Sequence, residues 1–127
     1  DKMILMRRKN ASYLSSKLKH FDSVKIPEEH GFKHVYQLYS IRLENKKMRD
    51  NLMKFLSENG IMSKVYFDPV HKTLFYKNLG YSKDKLPITE KISDQILSLP
   101  MFPTMQSIEL QLIVETIEEF MKKFNAS

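Results

Sequence analysis

The chain has no cysteine at all. That excludes a disulfide framework and any thiolate metal site, and it suits a cytoplasmic setting. Glycine is scarce: Gly31, Gly60 and Gly80 stand far apart. Glycines so isolated cannot build a phosphate-cradling loop on the standard patterns. No apolar run approaches the ~20 residues that a membrane-spanning helix needs. The opening residues, Asp1-Lys2-Met3-Ile4, do not have the layout of a secretory signal. They begin on Asp in mid-helix pattern, which reads as a start inside a longer gene product.

What is present fits one ordinary globular domain. The 127 residues are 42% hydrophobic and 28% charged, enough for a core without metal or disulfide help. The net charge is +6, which invites a nucleic-acid reading. Its distribution argues otherwise. Residues 1–26 hold seven Lys/Arg against two Asp, whereas residues 27–127 hold fourteen against thirteen Asp/Glu. The excess therefore sits in the first segment, as expected of a helix that packs against another domain.

Apolar residues Met3, Met6, Tyr13, Leu14, Leu18 and Phe21 share one helical face. Tyr39, Ile41 and Leu43 alternate with Ser40 and Arg42, which predicts a strand within residues 34–43. Asn45 is placed to cap a helix carrying Met48, Leu52, Phe55 and Leu56, and Gly60 is placed to end it. Residues 61–67 read as a second strand, broken by Asp68-Pro69. Thr73 to Leu79 predicts a short helix closed by Gly80. Pro87 suits the first turn of a helix to about Leu97, with Ile88, Ile92 and Ile96 on one side. Pro100 and Pro103 hold the next stretch extended. Thr104 or Ser107 caps a last helix that turns Ile108, Leu112, Ile117, Phe120 and Phe124 inward. The class is α/β, helices packed on a small sheet.

No self-sufficient catalytic set emerges. His30 and His34 are four apart, but Gly31 lies between them and no helical pattern surrounds them, so metal binding is not expected. The segment Lys64-Val-Tyr66-Phe67-Asp68-Pro69-Val-His71 stands out, because strand ends and the loops after them gather functional groups. His71 can bond a sugar hydroxyl or a phosphate. Lys64 can meet a phosphate as a point charge. Tyr66 offers a ring face and a hydroxyl. The plainer alternative makes Tyr66 and Phe67 core residues and His71 the cap of the following helix.

Five stretches, in order, resemble the DegT/DnrJ/EryC1/StrS family of PLP-dependent sugar aminotransferases. Arg7-Arg8-Lys-Asn10-Ala11-Ser-Tyr13 is similar to the start of that family's interdomain helix. His34-Val-Tyr36-Gln37-Leu-Tyr39-Ser-Ile41-Arg42 resembles its small-domain strand, and Arg49 to Ile61 its following helix and Gly-Ile turn. Pro69-Val-His71, with Phe75-Tyr76 and Gly80-Tyr81, resembles its "P-x-H … Y … GY" stretch. Leu97-Ser-Leu-Pro100-Met-Phe102-Pro103 is similar to its "L-S-L-P-M-F-P" almost letter for letter.

The resemblance implies the C-terminal small domain of a fold-type I PLP enzyme, with residues 1–22 as interdomain helix and 23–127 as the domain proper. It implies a cytoplasmic parent enzyme that moves an amino group onto a nucleotide-linked keto-sugar, as a homodimer, with no membrane or nucleic-acid partner. His71, Tyr66 and Lys64 would then be substrate-binding residues. Catalytic, cofactor-binding and metal residues are expected to be absent here, since the Schiff-base lysine and the phosphate-binding residues belong to the family's N-terminal large domain. The chain alone is therefore expected to bind no PLP and to be inactive. Asp68, Thr73 and Leu74 depart from the family's common pattern. The competing expectation is an independent basic α/β module binding RNA, with exposed aromatics and basic residues on its sheet.

Overall fold

The computed structural model describes residues 1–66, 68–83 and 85–125. Helix α1 spans Lys2–Leu18 and buries Asn10, Ala11, Leu14 and Leu18, a stripe at helical spacing. Met3, expected on that stripe, is exposed. Strand β1 is only Val24–Lys25, and strand β2 is Tyr39–Leu43. Helix α2, Lys46–Glu58, starts where Asn45 Oδ1 accepts the Met48 amide at 2.9 Å. Beyond it Gly60 takes a φ of 76°, a left-handed conformation that favours glycine. Two 3₁₀ turns, Val70–Lys72 and Tyr81–Lys83, flank the short helix α3, Leu74–Asn78. Helix α4 is Pro87–Gln95, strand β3 is Ile96–Leu99 and helix α5 is Ser107–Asn125.

The sheet runs β1-β2-β3, antiparallel throughout. Tyr39, Ile41 and Leu43 face the core together with Leu97 and Leu99. Helices α1, α2 and α5 cover that face through Leu14, Leu18, Met48, Leu52, Leu56, Ile113, Ile117 and Met121. The opposite face carries Lys25, Ser40 and Arg42. The architecture is therefore the expected one, helices on a small sheet.

Four local expectations are corrected. Residues 61–66 do not form a strand: a single bridge joins Lys64 to Ser98, and Phe67 lies outside the described residues. The helix predicted to Leu97 stops at Gln95, because residues 96–99 complete the sheet against β2. On helix α5, Ile117 and Phe120 are buried as expected and Phe124 packs against the core, but Ile108 is 69% exposed and Leu112 is exposed too, their places taken by Leu110, Ile113, Val114 and Met121. At its start, neither Thr104 nor Ser107 shows a side-chain cap; the Glu109 carboxylate accepts the Gln106 amide at 2.6 Å.

Arg49 is the buried charge that ties these pieces. Its Nε donates to Asp50 Oδ1 at 2.6 Å, and its Nη1 donates to the carbonyls of Ser93 (3.2 Å) and Ile96 (3.4 Å). One side chain thereby fixes α2 to the point where α4 turns into β3.

Candidate functional site

Lys64 and Tyr66 are brought together at one edge of the sheet. The Lys64 amide donates to the Ser98 carbonyl at 2.9 Å, and the Ser98 amide returns a bond at 2.8 Å. This pair lays residues 62–66 along the free side of β3. Between that segment and the turn before β2 lies a groove of about 420 Å³, lined by Gln37, Leu38, Lys64, Tyr66, Pro100 and Met101 among others. Tyr66 is 43% exposed, so it is not the core residue of the plainer alternative.

His71 does not line that groove. It sits in the 3₁₀ turn after Pro69, and its Nε2 lies 3.1 Å from Glu90 Oε1 on α4. Lys72 Nζ reaches Glu90 Oε2 at 2.9 Å, and the Leu86 amide donates to Oε1 at 3.2 Å. The hydrogen bonds from Lys72, His71 and the Leu86 amide hold the Glu90 carboxyl well below its ordinary value, at about 2. His71 therefore does not cap α3; Thr73 stands at that N-cap, and its hydroxyl donates instead to the Val70 carbonyl at 2.8 Å. From Asp68 to Glu90, leaving aside residues 82 and 84, no residue is buried, and Leu74, Phe75, Leu79 and Ile88 are all exposed.

Nothing local in the sequence marks Glu90. A glutamate at the fourth position of a helix looks like an ordinary solvated charge, and its side-chain partners are 18 and 19 residues upstream.

The basic first helix also has partners inside the chain. Arg8 forks onto Glu29 at 2.9 and 3.2 Å and donates to the His34 carbonyl at 2.6 Å. Arg7 donates to Gln37 Oε1 at 3.2 Å. These bonds pin the connection between β1 and β2, in which Tyr36 takes a φ of 49°, a strained value for a bulky residue. Tyr36 and Tyr39 are buried. The sheet thus lacks the exposed aromatic platform that the RNA expectation required. His30 pairs with Glu28 at 3.8 Å while His34 Nδ1 accepts the Tyr36 amide at 2.9 Å, so the two histidines do not converge. Among the described residues, no group of three or more His, Asp or Glu is placed to hold a metal.

The sequence profile of the DegT/DnrJ/EryC1/StrS aminotransferase family matches residues 1–118. The chain is 38% identical to a "pleiotropic regulatory protein" of Geobacillus stearothermophilus, over 98% of this chain and 34% of that protein. It is 30% identical to the GDP-perosamine synthase of Vibrio cholerae, over 94% of this chain and 33% of that protein. The solved DegT DnrJ EryC1 StrS aminotransferase from Brucella abortus superposes with a TM-score of 0.79 at 34% identity, over 93% of this chain and 31% of that one. The chain thus spans about a third of the length of the curated relatives it matches.

PLP, the cofactor implied by the resemblance, needs an enclosed lysine and a cradle for its phosphate. Every lysine of this chain is exposed, and Gly31, Gly60 and Gly80 sit in three separate turns. The residues present do not fit the cofactor.

Proposed function

Because the chain belongs to the DegT/DnrJ/EryC1/StrS aminotransferase family, we propose that it is the C-terminal small domain of a PLP-dependent aminotransferase acting on a nucleotide-linked keto-sugar. Residues 1–22 serve as the interdomain helix and residues 23–127 as the domain proper. The observation that carries this reading is the match over residues 1–118 to proteins about three times as long. A domain of this kind supplies one wall of a substrate site, and the electron sink is held elsewhere. The groove beside Lys64 and Tyr66 and the turn bearing His71 form that wall. Lys64 offers a positive charge to a diphosphate, Tyr66 a ring and hydroxyl, and His71 a ring nitrogen.

The partners are a large N-terminal domain and a second copy of the whole enzyme. Exposed apolar side chains on α1 (Met3, Leu5), on α5 (Ile108, Leu112) and along residues 70–88 supply surface for such contacts. The compartment proposed is the cytoplasm, with which a chain lacking cysteine is compatible. No helix among the described residues is long and apolar enough to cross a membrane.

The test uses an enzyme that joins this domain to its PLP-binding domain. Lys64→Ala and Tyr66→Phe are expected to raise KM for the keto-sugar nucleotide. The half-reaction with the amino donor alone should stay unchanged. Equal loss in both half-reactions, or no effect in either, would contradict the proposed wall.

A further inference from the structure

Glu90 accepts from three donors and has no proton of its own to give. The Leu86 amide and the His71 ring converge on Oε1, at 3.2 and 3.1 Å, and the Lys72 ammonium takes Oε2 at 2.9 Å. An ionised carboxylate is an acceptor only. The proton of the His71–Glu90 bond must therefore sit on the histidine's Nε2. In the neutral ring this leaves Nδ1 with a bare lone pair. Nδ1 has no hydrogen bond within the described residues, and it is not among the polar atoms sealed inside the fold without a partner. The imidazole itself is mostly covered, with 10% of its side-chain surface exposed, so it cannot swing freely to present the other nitrogen.

The same carboxylate also ties residues 70–83, an excursion made of the two 3₁₀ turns and α3, to the body. The two 3₁₀ turns and α3 pack chiefly on one another, whereas α4 packs on α2 and β2. Glu90 is on α4, and His71 and Lys72 are in the first turn of the excursion. The link is a charge-assisted one from Lys72 and, through Leu86, it closes onto the N-terminus of α4.

We propose that Glu90 is a positioning residue for His71, fixing the ring so that Nδ1 faces the substrate as a hydrogen-bond acceptor and selects a sugar hydroxyl over a phosphate. This rests on the substrate-wall reading above. A neutral acceptor nitrogen takes an O–H donor; a fully ionised phosphate oxygen has no proton to offer and is repelled by the lone pair. The phosphate contacts then fall to Lys64, the exposed cation of the neighbouring groove.

The test has two arms. In this chain labelled with ¹⁵N, long-range proton–nitrogen spectra should show the neutral His71 ring with its proton on Nε2 and Nδ1 bare, and with a slowly exchanging Nε2–H signal. Glu90→Ala should abolish the slow exchange. Glu90→Gln keeps an acceptor for the Leu86 amide and so guards against loss of fold; it should speed the exchange without changing the amide spectrum elsewhere. A neutral ring with its proton on Nδ1, or exchange indifferent to both substitutions, overturns the proposal and leaves the substrate wall untouched.

The second arm measures the enzyme carrying this domain. Glu90→Gln should lower kcat/KM for the keto-sugar nucleotide roughly tenfold, the scale by which a hydrogen bond to a charged group exceeds a neutral one. The amino-donor half-reaction should not move. Removing the acceptor with His71→Ala should leave nothing further for Glu90→Gln to take away. Additive losses in the double variant would overturn the positioning role. A His71→Ala enzyme with full activity would instead overturn the substrate wall at His71.

Discussion

Tyr39 and Ser15 share a hydrogen bond of 2.8 Å between their hydroxyls, and it joins the middle strand to the first helix. Tyr39 is completely buried. Burial disfavours its phenolate most; the Ser15 bond lowers the value and the charge of Tyr36 raises it, with the result pushed up to about 12. Tyr39→Phe should cost about 1 kcal/mol, the net worth of one hydrogen bond, measured by urea unfolding at pH 7. The pH dependence has a definite sign. An unfolded chain releases the phenolic proton near the ordinary 10, so the raised value contributes stability that is whole below pH 10 and is lost as pH climbs towards 12. Melting curves across that window should fall less steeply for the phenylalanine variant.

Glu90 should act at the other end of the scale. Its carboxyl is held down mainly by Lys72, then by His71 and the Leu86 amide. The folded chain therefore gives up this proton more readily than the unfolded chain. The contribution is present above the ordinary value of 4.5 and disappears as pH falls towards about 2. Glu90→Gln should lower the melting temperature at pH 7 and match the parent near pH 2. A difference that persists unchanged at low pH would contradict the ion-pair origin.

Arg49→Ala should be costlier than a typical surface change. It strips the Ser93 and Ile96 carbonyls of a donor at the junction of α4 and β3. A loss of about 2–3 kcal/mol is expected for breaking bonds to a buried charged group. Arg49→Lys should recover only part of it, because an ammonium lacks the fork that serves Asp50 and the carbonyls together. Denaturant midpoints for the two variants give the comparison.

Ile41→Ala tests the core directly. Ile41 is fully buried on the middle strand, opposite Leu97. Truncation should cost about 2–5 kcal/mol, the transfer term plus the cavity left behind. The magnitude is read from equilibrium unfolding.

Where a signal is local, the sequence carried it. Asn45, the Met48-Leu52-Leu56 spacing and Gly60 announce α2 at both ends, and each acts as its chemistry suggests. The alternation of Tyr39, Ile41 and Leu43 announces β2. Strand β3 was hidden because Ile96 continues the spacing of Ile88 and Ile92, and only pairing with β2 decides against a longer helix. Strand β1 is two residues long and has no period to read. On α5 the sequence offers apolar residues on more than one face, so the packing against α1 and α2 chooses which is buried. Lys64 and Tyr66 were legible as neighbours at the end of an extended run. The tie between His71 and Glu90 was not, because nothing local links a turn to a helix 19 residues away.

The central claim is that this chain supplies a substrate wall and holds no site for the cofactor. Titrating it with PLP and following absorbance near ~420 nm tests that most directly, since the imine needs a positioned lysine. The expected result is weak, unsaturable imine formation spread over exposed lysines, with no transamination of an amino donor. A saturable one-to-one imine, abolished by replacing a single lysine, would contradict the account.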